Sequence, residues 1–159
     1  MRVAAALLLL TACATSATPD AASVDRTLDA WHAAAARADE PAYFGAMAPE
    51  FVFLGTDATE RWDRTSFRNF AHPYFAKGTA WTFVPRDRHV IFSPRGDVAW
   101  FDEKLDSKSY GECRGSGVLR RDGGEWKIAH YNLTIPIPNE LAKSIVETIR
   151  AQSSRSTPR

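Results

Sequence analysis

The sequence predicts an α+β domain, in which N-terminal helices pack on a curved antiparallel sheet. Three observations predict this fold. Apolar residues recur at helical spacing before Gly78, they alternate with polar residues from Trp81 onward, and turn-forming residues separate four strand-length segments in the second half of the chain. The 159 residues, 45% apolar and 25% charged, are typical of one folded domain.

The first residues of the chain have the layout of a secretory signal. Met1-Arg2 is a positive start, an apolar run of eight residues follows from Val3 to Leu10, and the segment ends in Leu10-Thr11-Ala12-Cys13. The apolar run would form about 12 Å of helix, too short for a bilayer core of about 30 Å. Its last four residues resemble the lipobox of bacterial lipoproteins, which implies removal of the signal peptide 1–12 and acylation of Cys13.

This resemblance implies an exported protein that is anchored in the cell membrane or outer membrane and faces the periplasm or the cell surface. The alternative is a plain secretory signal that is cut near Ala14 or Ala17. If Cys13 is acylated, residues 13–23 are the lipidated cysteine and a flexible tether. Residues 24–151 are the predicted folded domain, and residues 152–159 are a predicted disordered tail.

Cys113 is the one thiol that remains if Cys13 carries lipid, so no internal disulfide is expected. A small buried strand residue is favoured over a reactive nucleophile, because nothing nearby in the sequence would lower its pKa.

The predicted helices come first along the chain. Ser23 is the expected N-cap of a helix that ends near Ala38, and a second, shorter helix starts at Asp39-Glu40-Pro41. The apolar stripe of the first helix consists of Val24, Leu28, Trp31 and Ala35.

A strand from Phe51 to Leu54 and a shorter one at Arg61-Trp62 precede a third helix. Asp63 or Thr65 is its expected cap, Pro73 should kink it, and Gly78 should end it. Its apolar residues are Phe67, Phe70, Ala71, Tyr74 and Phe75.

The alternating pattern in the second half predicts an antiparallel meander. Its four strands are Trp81 to Phe92, Asp97 to Leu105, Gly111 to Arg121 and Trp126 to Ile135. Pro85 has no N–H to donate, so the first of these strands should contain a bulge or lie at an edge. Apolar residues at spacing four, from Leu141 to Ile149, predict a final helix.

This order of elements resembles the nuclear-transport-factor-2-like (NTF2-like) superfamily, which includes ketosteroid isomerase and SnoaL-like cyclases. A sharper likeness joins the chain to bacterial SnoaL-like proteins of unassigned function. The segments that carry it are Phe53–Asp57, Glu60–Trp62, Ala99–Glu103, Gly111–Gly115, Trp126–Ile128 and His130–Asn132. The resemblance implies a cone with a pocket between the helices and the concave sheet face, and often a homodimer across the outer face.

Strand parity predicts which residues face this pocket. If Trp126 and Ile128 are core residues, then His130, Asn132 and Thr134 share their face. A tight turn at 122–124 would pair Trp126 with Leu119, and the loop at 106–110 would pair Glu103 with Cys113. The second pairing directs Glu103, Phe101 and Ala99 inward and Trp100 and Asp102 outward, whereas a slip of one residue reverses this orientation.

Three residues are candidates for acid/base catalysis. Glu103 or Asp102 would have a raised pKa if buried among aromatic residues, and His130 could act as a base near neutral pH. The alternative for His130 is a hydrogen-bonded histidine of the inner sheet face. Candidate ligand-binding residues are Trp31, Phe53, Trp62, Trp81, Trp100, Arg114 and Asn132.

Several other polar residues have more than one interpretation. Arg114 could bind an anion or form a structural ion pair with Asp102 or Glu103. The loop residues Asp57, Glu60 and Arg61 could cap a helix or form the rim of the pocket. The basic cluster at 86–89 is interpreted as a solvated strand face, since Asp87 dilutes its charge.

No cofactor, metal or nucleic acid is expected. The four histidines are scattered, and no glycine-rich phosphate loop follows a strand. The net charge of +1 gives no electrostatic reason for nucleic-acid binding.

The sequence therefore predicts a membrane-anchored protein that binds a small apolar or amphipathic molecule, more readily a binding protein than an enzyme. One alternative is an acid/base isomerase, cyclase or hydratase that acts on a carbonyl compound. A second is a dimeric structural or assembly module.

Overall fold

The computed structural model describes residues 20–156, so the predicted signal peptide and the lipidation site at Cys13 lie outside the described residues. The elements, in chain order, are α1 (Ala21–Ala36), α2 (Glu40–Gly45), β1 (Met47–Leu54), β2 (Arg61–Asp63), α3 (Arg64–Ala76), β3 (Val84–Phe92), β4 (Val98–Ser107), β5 (Gly111–Asp122), β6 (Glu125–Thr134) and α4 (Asn139–Ser156).

Aspartate side chains cap the N-termini of the first three helices. Asp20, rather than Ser23, caps α1, because its carboxylate accepts the N–H of Ala22 at 3.0 Å. Asp39 caps α2 and Asp63 caps α3 in the same way. The predicted apolar stripe of α1 is confirmed, since Val24, Leu28, Trp31 and Ala35 are buried. Helix α3 continues past Pro73 to Ala76, and Gly78 follows in a left-handed conformation (φ 72°).

The strands form one curved, six-stranded sheet in the order β2-β1-β6-β5-β4-β3. The predicted meander from β3 to β6 is confirmed, but the sheet is mixed rather than wholly antiparallel, because β1 pairs in parallel with β6. Strand β3 begins at Val84, later than predicted. It lies at the sheet edge and its register shifts between Arg86 and His89, so both expectations for Pro85 are confirmed.

A bulge in β6 determines which side chains face the helices. Leu119 pairs with Ile128, whereas Val118 pairs with His130, which leaves Ala129 as an extra residue. Trp126 and Ile128 are buried as predicted, but beyond the bulge the buried residues are Tyr131 and Leu133. The prediction that His130, Asn132 and Thr134 share the face of Ile128 is therefore wrong.

Two predicted strand pairings are also displaced. Trp126 pairs with Arg121 rather than Leu119, and Glu103 pairs with Gly115 rather than Cys113. The observed partner of Glu103 lies two residues from the predicted one. Because alternate residues of a strand face the same side of the sheet, this shift keeps the predicted orientation: Glu103 is buried and Trp100 is exposed. Cys113 is buried on the same inner face, and its burial raises the pKa of the thiol.

Helix α4 follows the last strand after the connection 135–138 and runs from Asn139 to Ser156. It therefore extends into residues 152–159, which the sequence predicts as a tail. Leu141 and Ile149 on this helix are 49% and 57% exposed. None of the helices between residues 20 and 156 combines the length and apolar character needed to cross a membrane.

Candidate functional site

A cavity of about 230 Å³ opens between α3 and the ends of strands β1 and β6. Its wall is mostly aromatic and is formed by Phe53, Trp62, Phe67, Phe70, Tyr74, Trp81, Phe83 and Tyr110. Leu133, Gly55, Thr56 and Glu60 complete it. We call this cavity the aromatic pocket.

Helical spacing on α3 places three of these rings on one side of the aromatic pocket. Phe67, Phe70 and Tyr74 lie at i, i+3 and i+7, so they project from one face of the helix. The ring of Trp62, from β2, stacks on Phe70 with centroids 4.8 Å apart. On the sheet side, Phe53 stacks on Phe67 at 4.3 Å. The wall of the aromatic pocket is thus formed by α3 on one side and by residues of β1 and β2 on the other.

Glu60 is the one carboxylate that lines the aromatic pocket, and no Lys, Arg or His side chain lines it. Its Oε2 accepts the N–H of Asp57 at 3.2 Å. The carboxylate folds over Gly55, where a Cβ atom would collide with it, so only glycine leaves room for this arrangement. Within the described part of the chain, Glu60 has no basic partner at ion-pair distance.

A second acidic site, which we call the Glu103 network, lies inside the cone, and none of its residues lines the aromatic pocket. Glu103 is 1% exposed. Its Oε1 lies 2.8 Å from His32 Nε2 and accepts the Tyr131 hydroxyl at 3.1 Å, while its Oε2 accepts Arg88 Nε at 2.8 Å. Arg88 also binds Asp25 at 3.1 Å and Asp29 at 2.8 Å, which ties α1 to β3.

The partners of Glu103 keep it ionised. Burial by itself would raise the pKa of the Glu103 carboxyl, but the hydrogen bond and charge of His32, followed by the charge of Arg88, outweigh it and lower that pKa below its ordinary value. Burial, reinforced by the negative charge of Glu103, raises the pKa of Tyr131. The network therefore holds an anion whose two oxygens are both already bound.

Gly115 provides the space for this network. It pairs with both Glu103 and Leu133, and the Tyr131 hydroxyl lies over it, where a Cβ atom would collide. A Cβ there would also be 2.9 Å from Glu103 Oε1. Because Gly115 has no side chain, Tyr131 can extend across β5 and bind Glu103.

Comparison with known proteins assigns the fold. The SnoaL-like domain matches residues 24–138. The chain belongs to the SnoaL-like family. No curated protein matches it significantly.

Solved structures of NTF2-like proteins resemble this SnoaL-like chain in fold. An NTF2-like protein of unknown function from Pseudomonas putida is 17% identical with a TM-score of 0.62, and the match covers 75% of this chain and 88% of that protein. A candidate dehydratase of the NTF2-like family from Streptomyces avermitilis is 16% identical with a TM-score of 0.62, covering 74% of this chain and 96% of the other. An NTF2-like protein from Cytophaga hutchinsonii is 12% identical with a TM-score of 0.58, covering 71% and 95%.

The SnoaL-like cone separates the predicted site residues other than Glu103 into three groups. Phe53, Trp62 and Trp81 line the aromatic pocket. Trp31 is buried in the core, 3% exposed, and stacks on Tyr43 rather than lining the cavity. The third group lies on the outer face of the sheet and comprises Trp100, Asp102, Arg114, His130 and Asn132.

The outer-face residues do not approach Glu103 or the aromatic pocket. His130 pairs with Val52 and Val118, which in turn is next to Trp100. Asp102 lies 3.5 Å from His89. Arg114 pairs with Lys104, so its predicted position opposite Asp102 or Glu103 is wrong. The cause is the two-residue difference between the predicted and observed pairing of β4 with β5. A homodimer across this face stays a prediction.

Sequence reasoning missed Arg88 and His32. Arg88 belongs to the cluster interpreted as a solvated strand face, yet its side chain is 8% exposed. Asp87 adopts a left-handed conformation (φ 48°) at the register shift in β3, next to the residue that reaches Glu103. Asp25 and Asp29, one helical turn apart on α1, are the sequence signal that could have indicated a buried arginine.

No group of three His, Cys, Asp or Glu side chains between residues 20 and 156 is placed to hold a metal ion.

Proposed function

We propose that this SnoaL-like protein binds a small apolar or amphipathic molecule in the aromatic pocket and does so as an exported lipoprotein anchored through Cys13. The observation that carries the proposal is a cavity walled by aromatic rings with one charged side chain. Its volume, about 230 Å³, is below the usual range of about 300 to 1,000 Å³ for ligand pockets. A compound of one or two rings suits this size.

Binding is better supported than acid/base turnover. A catalytic acid or base must come within hydrogen-bond reach of the reacting atoms. Glu103 does not line the aromatic pocket, and both of its oxygens are bound within the protein. Asp102 and His130 are on the other face of the sheet. The three catalytic candidates are thus separated from a ligand in this pocket.

The anchoring part of the proposal depends on the sequence Leu10-Thr11-Ala12-Cys13, which resembles a lipobox. Acylation of Cys13 would attach the domain to a membrane through a short segment ahead of α1. The proposed role is therefore to hold or present a small molecule next to a membrane.

A neutral two-ring compound, 2-naphthol, tests the pocket by calorimetric titration of the full chain. The wild type should bind it saturably at one site. Trp62→Leu should weaken binding about tenfold, or 1.4 kcal/mol, because it removes the indole that stacks on Phe70. Trp100→Leu is the matched control, since it removes an indole from the outer face. Equal weakening in both variants, or no saturable binding, would reject the assignment.

A further inference from the structure

We infer that the ligand of the aromatic pocket carries a positive charge, so that this site takes an organic cation such as an alkylammonium compound. The inference rests on the proposed function and names the chemical class of its ligand. Glu60 and the faces of the surrounding rings are the groups that would hold the charge.

Charge is the first argument. Three exposed or half-buried glutamates have basic partners: Glu40 binds Arg68, Glu50 binds Arg120 and Glu112 binds Arg86. Glu60, within the part of the chain that the structure describes, has no basic partner at ion-pair distance, and it is half-buried at the edge of the cavity. A ligand that displaces water from the cavity strengthens the field of this carboxylate, because the local dielectric constant falls.

The rings are the second argument. The face of an aromatic ring is electron-rich and attracts a cation within about 6 Å of its centroid, with tryptophan the strongest. Trp62 and Trp81 both line the aromatic pocket, and Phe67 lies between them at 5.7 Å and 6.0 Å. Tyr74 meets Trp81 at 62°, so the wall turns instead of forming a flat stack. A cation in the cavity would therefore lie beside rings of different orientation.

The charge of the ligand decides whether Glu60 is satisfied when the pocket is full. A neutral ligand would leave this carboxylate partly desolvated without a partner of opposite charge, which costs free energy. An anion would be repelled by it. A cation with small apolar substituents satisfies the carboxylate and the rings together, and choline has this chemistry at a size that the cavity accommodates.

Two probes of the same shape test the inference by displacement of bound 2-naphthol from the full chain. Choline is the cationic probe, and 3,3-dimethylbutan-1-ol is its neutral isostere, with carbon in place of nitrogen. In the wild type, choline should displace 2-naphthol at a concentration at least tenfold lower than the neutral alcohol requires. This ratio is independent of partial unfolding, because both probes need the same folded pocket.

Glu60→Gln keeps the acceptor for the Asp57 N–H but removes the charge. We expect it to reduce the preference for choline to threefold or less. It should not weaken the binding of 2-naphthol, because it removes the cost of desolvating a carboxylate beside a neutral ligand. Glu147→Gln is the matched control, because it removes the same charge from the exposed face of α4 and should keep the full preference.

The outcomes separate this inference from the proposed function. Displacement by both probes at similar concentrations would overturn the cationic ligand and leave the aromatic pocket as a binding site for neutral compounds. A preference that survives undiminished in Glu60→Gln would overturn the assignment of the charge recognition to Glu60. Absence of saturable 2-naphthol binding would overturn both, because the proposed function and the displacement measurement both depend on it.

Discussion

Glu60 and Glu103 are both placed among aromatic side chains of the cone, yet their surroundings differ. Glu103 is buried, and His32, Tyr131 and Arg88 bind its two oxygens. Glu60 is half-buried at a cavity and accepts one backbone N–H. The first carboxylate has its full set of partners inside the protein, whereas the second still has room for a partner from outside.

This difference shows how to separate a structural acid from a binding acid. Burial and aromatic neighbours are common to both, so neither feature identifies the functional residue. The number of bound partners does: a carboxylate that is fully bound stabilises the fold, and one that faces a cavity with free acceptor sites is available to a ligand. Three substitutions test this contrast, in order of decreasing expected effect.

Arg88→Ala should have the largest effect. It leaves the buried Glu103 carboxylate without its guanidinium partner and releases Asp25 and Asp29 from β3, so the free energy of unfolding should fall by about 3 to 5 kcal/mol. Urea denaturation measures the loss. Arg95→Ala, which removes an arginine from an exposed ion pair with Asp97, should leave stability nearly unchanged. Similar losses in both variants would contradict a structural role for the network.

Glu103→Gln should have an intermediate effect that depends on pH. At pH 7 it removes a charged hydrogen-bond acceptor from His32 and Arg88, at a cost of about 1 to 3 kcal/mol. The pKa of Glu103 is lower in the folded protein than its ordinary value of 4.5, so its contribution is complete above that value and is lost as the pH falls through the folded pKa.

The difference in unfolding free energy between wild type and Glu103→Gln should therefore narrow below about pH 4.5. Denaturation at several pH values between 7 and 3 measures it. A difference that stays constant over this range would mean that Glu103 is not held as an anion by His32, Tyr131 and Arg88.

Glu60→Gln should have the smallest effect on stability. Because Glu60 has no basic partner in the described chain and the amide preserves the bond from the Asp57 N–H, the free energy of unfolding should change by about 0.5 kcal/mol or less. Thermal and urea denaturation measure it. A loss as large as that of Glu103→Gln would place Glu60 among the structural acids.

Local patterns in the sequence predict most of the secondary structure. Helical spacing identified the stripe from Val24 to Ala35, and alternation identified the four strands of the meander. The parallel pairing of β1 with β6 has no local signal, because it joins residues 47–54 to residues 128–132. Long-range partners depend on tertiary packing, which a local period does not encode.

The candidate site was predicted less completely. Phe53, Trp62 and Trp81 are among the ligand-binding residues that the sequence predicts, and the rim of the pocket is one of two interpretations of the loop residue Glu60. His130 and Asn132 were placed on the wrong face, because one extra residue at Ala129 reverses the parity of everything after it. Arg88 was missed for a related reason, since it follows the irregular residue Asp87 in β3.

The hydrogen bond from Trp126 Nε1 to Ser23 Oγ, at 2.9 Å, fixes the start of α1 beside the start of β6. Leu133, which lines the cavity, is seven residues further along the same strand, a distance of about 23 Å. The polypeptide thus enters the domain at one end of β6, and the cavity opens at the other. An attachment through the residues before Asp20 would therefore join the domain at the end of β6 that is far from the cavity, so exchange of small molecules at the cavity would not involve that end of the strand.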